Sequence, residues 1–156
     1  MIGRLVVVGL GLIGGSFAKG LRESGVCREV VGVDLDPQSR KLAVELGVVD
    51  RCEEDLTAAC QGADVIQLAV PILAMEKVLA RLAGMDLGRA ILTDVGSAKG
   101  NVVRAATEAF GAMPPRFVPG HPIAGSEQSG VEASNAQLFR RHKVILTPCE
   151  QSDDAA

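Results

Sequence analysis

The chain has 156 residues, 47% of them hydrophobic and nearly all of those aliphatic, with no Trp or Tyr and a formal net charge of −3. That length and apolar share suit a single domain with a core of Val, Ile, Leu and Ala. The mild acidity and dispersed basic residues exclude the electrostatic footprint of a nucleic-acid or anionic-membrane binder, and no apolar run approaches the ~20 residues of a membrane span.

Apolar runs and helical patterns alternate from end to end. Residues 5–8 read as a buried strand, followed by a glycine turn and a helix with Ile13, Phe17 and Leu21 on one face. Residues 29–34 form a second strand, and Asp36-Pro37 then reads as an N-cap and first-turn proline opening a helix to about Leu46. A short strand is expected at Val48-Val49 and a short helix over 56–61. Residues 64–70 are a clearer strand, halted by Pro71, and Val78, Leu79 and Leu82 stripe the helix after it. The next strand covers 90–95, and a helix over 98–110 turns Val102, Val103, Ala106 and Phe110 inward. Pro114-Pro115 enforces a loop, Phe117-Val118 starts another strand, and 143–147 is a last one. Near-continuous apolar strands alternating with helices imply a parallel sheet covered on both faces.

Cys27, Cys52, Cys60 and Cys149 show no CxxC spacing and read as reduced, incidental thiols, which points to no metal site. A strand begins within two residues of Met1, too early for a signal peptide, so the cytoplasm is the expected compartment.

Gly9-Leu10-Gly11-Leu12-Ile13-Gly14 fits GxGxxG directly after a strand and at the opening of a helix. Gly9 allows the tight turn, Gly11 lets backbone approach a pyrophosphate, and Gly14 permits close helix–strand packing. The helix start at Leu12 and Ile13 offers free N–H groups to phosphate. Asp34 ends the second strand, 20 residues beyond Gly14. There a carboxylate binds ribose hydroxyls and repels a 2′-phosphate, favouring NAD over NADP; otherwise Asp34 merely caps a strand. Ala69, Val70 and Pro71 at the next crossing strand should line the nicotinamide side.

Two further segments fall where strands end, on the ligand-binding edge of such a sheet. In Asp94-Val95-Gly96-Ser97-Ala98-Lys99-Gly100, Ser97 is either a helix N-cap or a hydroxyl that orients substrate, and Lys99 reads as a solvated first-turn residue. In the turn-rich stretch from Gly120 to Gly130, His121 follows a strand end and a glycine and precedes Pro122, which restricts its backbone. A base held there can abstract a hydroxyl proton as hydride leaves the same carbon. Glu127 is either a helix-start carboxylate or a gate over substrate. His142 and the cluster Arg140-Arg141-His142-Lys143 read as surface.

Together, segments 9–16, 31–36, 94–100 and 120–130, with 138–148 behind them, closely resemble the prephenate/arogenate (cyclohexadienyl) dehydrogenase family over essentially the whole chain. The resemblance implies an α/β, Rossmann-type doubly wound, mainly parallel sheet over residues 1–148, with NAD as cofactor. It implies NAD-dependent oxidative decarboxylation of prephenate to 4-hydroxyphenylpyruvate, or of arogenate to tyrosine. His121 is then the catalytic base, Ser97 holds the substrate hydroxyl and nicotinamide in register, and Glu127 lines or gates the pocket. Such enzymes carry a C-terminal helical domain that makes a homodimer and supplies an arginine for a substrate carboxylate. Residues 149–156 accordingly read as a linker cut short of that domain, and a chain of this extent is expected to bind NAD but turn over prephenate poorly or not at all. The competing readings are another NAD-dependent β-hydroxyacid or imine reductase and a non-catalytic NAD-sensing domain.

Overall fold

The computed structural model describes residues 1–156. Its frame is a six-stranded parallel sheet in the order β3-β2-β1-β4-β5-β6. The strands are β1 (Ile2–Val8), β2 (Cys27–Val33), β3 (Arg51–Glu53), β4 (Val65–Leu68), β5 (Ile91–Asp94) and β6 (Phe117–Val118). Between them run α1 (Leu12–Glu23), α2 (Pro37–Glu45), α3 (Leu56–Cys60), α4 (Ile72–Ala83) and α5 (Lys99–Phe110). Chain order reverses between β1 and β4, the switch point at which such sheets open a crevice.

The apolar strands are explained by burial on both faces. In β1, Val6 and Val8 join α3, α4 and α5 in one core cluster, whereas Leu5 and Val7 join α1 and α2 in another. Each fully buried Val or Leu contributes about 1.5–3 kcal/mol of transfer free energy. The start of α2 follows the sequence: Asp36 accepts bonds from the N–H groups of Gln38 at 3.1 Å and Ser39 at 3.2 Å, with Pro37 in the first turn.

Two expectations are corrected. The short strand falls at Arg51–Glu53, not at Val48-Val49. Both valine N–H groups bond the Ala43 carbonyl, ending α2, and their side chains fill the core before sheet pairing resumes. His121 lies not on a loop but on a short strand, β7 (Gly120–Pro122), which pairs antiparallel with β8 (Val144–Leu146) in a separate ribbon. Residues 149–156 pack back on the domain: Cys149 lies against the core, and Asp153 meets both the Pro115 carbonyl through its N–H and Arg116 through its carboxylate. No helix is long and apolar enough to cross a membrane.

Candidate nucleotide and substrate site

The glycine turn joins β1 to α1 at the carboxyl edge of the sheet. Gly9 has φ +96°, and a Cβ there would lie 2.6 Å from the Ala69 carbonyl oxygen, so the turn closes against the tip of β4. A Cβ on Gly14 would lie 2.0 Å from the Gly9 carbonyl oxygen, so α1 packs directly on the turn. Gly11 differs from both. It is exposed and extended, and a Cβ there would meet nothing within 4 Å. No side chain caps α1, which leaves the N–H groups at Leu12 and Ile13 open. An uncapped helix start beneath a side-chain-free, open backbone fits a pyrophosphate.

Asp34 stands just past β2, half-buried. Its Oδ2 accepts the Leu10 N–H and its Oδ1 the Asp36 N–H, both at 2.9 Å. The carboxylate therefore ties the glycine turn to the start of α2 and retains lone pairs for a ribose. Arg40 is engaged beside it, donating to the carbonyls of Asp34 and Leu35 and pairing with Glu54 at 3.2 Å. Val70 is half-buried against the core, and Pro71 is exposed at the N-cap of α4.

At the tip of β5 the chain assembles a second constellation. The His121 Nδ1 lies 3.5 Å from the Val95 carbonyl oxygen. Ser97 is exposed on the bend two residues further on and is not a cap: Ala98 occupies the N-cap position of α5, without a side-chain bond. Lys99 is not solvated, contrary to expectation. Its Nζ donates to the Asp94 carboxylate and, at 2.6 Å, to the Gly120 carbonyl. Glu127 begins no helix and is exposed in the irregular arch between β7 and a 3-10 turn at Val131–Ala133. His142 is exposed, as expected, in the turn before β8.

The arch is anchored on the far side by α1. Ser16 accepts the Asn135 N–H at 2.9 Å, a Cβ on Gly15 would lie 2.1 Å from the Ser134 hydroxyl, and Phe139 meets Phe17 edge-on with centroids 6.3 Å apart. These contacts are not foreseen from the sequence, and neither is a role for Asp94. A charged residue closing the apolar run of β5, with a lysine five residues on, was the available signal. A groove of about 640 Å³ runs along the sheet face from Asp94, Val95 and Gly120 toward Ser24 at the end of α1, with Gln67 and Thr93 in its floor. It lies beside the strand tips rather than over the glycine turn. Burial pushes the Cys52 and Cys60 thiols up to about 11.

A reversed parallel sheet, an open glycine turn at its switch point and an acid closing β2 define a nucleotide-binding domain of the doubly wound class. Residues 17–156 match the family described as prephenate dehydrogenase, nucleotide-binding domain. The chain belongs to that family. It is 37% identical over 145 residues to the prephenate dehydrogenase of Lactococcus lactis, covering 92% of this chain and 40% of that one. It is 36% identical to the cyclohexadienyl dehydrogenase of Zymomonas mobilis, covering 92% and 48%. The crystal structure of prephenate dehydrogenase from A. aeolicus with hydroxyphenyl propionate and NAD+ superposes with a TM-score of 0.90 at 37% identity, over 99% of this chain and 54% of that one. The chain thus spans about half the length, or less, of the relatives it matches.

Proposed function

We propose that this chain is the cofactor-binding part of an NAD-dependent dehydrogenase that oxidatively decarboxylates prephenate or arogenate in tyrosine biosynthesis. The observation that carries the proposal is the position of His121, at the carboxyl edge beside Val95 and two strands from the glycine turn. At the usual strand spacing that is about 10 Å across the switch point.

Gly9, Gly11 and Gly14 with the open start of α1 would hold the pyrophosphate, Asp34 the adenosine ribose, and Val70 and Pro71 would flank the nicotinamide. Its own charge makes Asp34 a poor neighbour for a 2′-phosphate, which favours NAD. Bound NAD supplies the hydride acceptor. His121 donates Nδ1–H toward the Val95 carbonyl, which leaves the Nε2 lone pair to take the proton of the ring hydroxyl as hydride departs from that carbon. The carboxylate on the opposite ring carbon then leaves as CO2, and its bonding pair completes the aromatic ring. Ser97 would hold the same hydroxyl, and Glu127 on the exposed arch would close over the substrate. The relative solved with hydroxyphenyl propionate and NAD+ supports this choice of ligands, since the proposed prephenate product is also a phenol.

Residues 1–156 are expected to bind NADH and to gain affinity when hydroxyphenyl propionate is added. His121→Asn should keep NADH affinity and lose the gain. Failure of the wild-type chain to bind NADH, or a gain that survives in His121→Asn, refutes the proposal.

A further inference from the structure

The β5–β6 ladder ends at Thr93–Val118, and β7 pairs only with β8. No sheet ladder therefore registers His121 against the end of β5. One carboxylate does this instead. Asp94 is buried, one of three buried polar residues in the chain. Its Oδ1 accepts the Gly120 N–H at 3.1 Å, and its Oδ2 accepts the Gly96 N–H at 2.8 Å together with Lys99 Nζ. Lys99 also holds the Gly120 carbonyl, so both backbone groups of the residue before His121 are tied to a single buried ion pair. The space is tight as well: a Cβ on Gly120 would lie 3.1 Å from the Asp94 carbonyl oxygen.

We infer that Asp94 is a positioning residue, whose ion pair with Lys99 fixes β7 so that His121 keeps a single tautomer, Nδ1–H toward Val95 and Nε2 bare. Burying an ion pair gains little stability over an apolar substitute, so registration is the better account of its presence. At 3.5 Å the bond from His121 to Val95 stands at the limit of a hydrogen bond, and a small slip of β7 ends it. With the bond gone, nothing holds the proton on Nδ1, and the Nε2–H tautomer, with the proton on the wrong nitrogen, becomes populated. The value of this tautomer to catalysis rests on the proposed dehydrogenase reaction. The geometry stands without that reaction.

The test reads the imidazole nitrogens directly, by long-range nitrogen–proton NMR on the neutral ring. His142 is the other histidine, and His142→Gln removes its signals. The wild-type chain should show one protonated Nδ1 and one bare Nε2, with a slowly exchanging Gly120 amide. Asp94→Asn and Lys99→Gln, folded by circular dichroism, should show averaged ring nitrogens, and Asp94→Ala, which removes the acceptor of the Gly120 N–H, should show at least ~10-fold faster Gly120 exchange. Lys99→Arg, which keeps the charge, should retain more of the single-tautomer signature than Lys99→Gln. An averaged ring in the wild type, or an unchanged ring in either folded variant, overturns the inference. NADH titration of the same samples separates the two proposals: a chain that binds no NADH but holds the Nδ1–H tautomer refutes the cofactor assignment and leaves the role of Asp94 intact.

Discussion

Substituting Gly11 and Gly14 by alanine, one at a time, should separate ligand approach from packing within a single turn. On Gly14 the new methyl meets the Gly9 carbonyl oxygen at 2.0 Å and the Ala69 Cβ at 2.9 Å. Neither neighbour is the end of a flexible side chain, so α1 must back away by more than an ångström. Overpacking of this kind costs about 1–3 kcal/mol, of which alanine's helix propensity returns ~1. A contact as short as 2.0 Å to backbone puts Gly14→Ala at the upper end, so the expected net loss is about 2 kcal/mol. On Gly11, the N-cap of α1, the methyl points into open space and costs only the weaker capping of alanine, at most ~1 kcal/mol of stability. Yet that space is where the proposed phosphates meet the N–H groups at Leu12 and Ile13. Losing one charge-assisted bond at ~1.5–3 kcal/mol weakens NADH binding about 10- to 150-fold. With no Trp or Tyr, urea unfolding is followed by circular dichroism, and NADH by its own fluorescence. Gly11→Ala binding NADH as tightly as wild type, or unfolding as early as Gly14→Ala, refutes the reasoning.

Leu79 is fully buried on α4, and Leu79→Ala should cost about 2–5 kcal/mol in urea unfolding, with the spread set by how far the cavity collapses. Lys99→Met strands the buried Asp94 carboxylate with only the Gly96 and Gly120 N–H groups, for about 3 kcal/mol. Adding Asp94→Asn to it should recover part of that loss in a double-mutant cycle. The Arg51 and Arg4 guanidiniums hold the Glu29 carboxyl below the usual range. Its contribution is therefore complete above the unfolded value of about 4.3 and fades as pH falls through the lower folded value. Wild type should exceed Glu29→Gln in stability at about pH 6, and the gap should close toward about pH 3, as read from urea midpoints.

The helices and the parallel sheet were legible because their signals are local: apolar runs with terminators, Asp36-Pro37 at a helix start, and GxGxxG between strand and helix. Val48-Val49 misled because a buried apolar pair serves the end of a helix as readily as a strand. The site was legible as motifs but not as connections. Nothing in the spacing shows that Lys99 turns inward to Asp94, or that Ser16 on α1 takes the N–H of Asn135, because pairings between distant segments exist only once the sheet has formed. Ser97 showed how a residue favoured at caps can sit one place too early and leave the cap to Ala98.

Asp34 carries a cost for anyone wishing to retune cofactor preference. The acid proposed to discriminate between riboses also staples the glycine turn to the second crossover, through Leu10 and Asp36. Arg40, the nearest cation, is already committed to two carbonyls and Glu54. Selectivity and rigidity are inherited together at this one position, so a redesign has to supply replacement acceptors for two main-chain donors before it offers a new phosphate anything to grip.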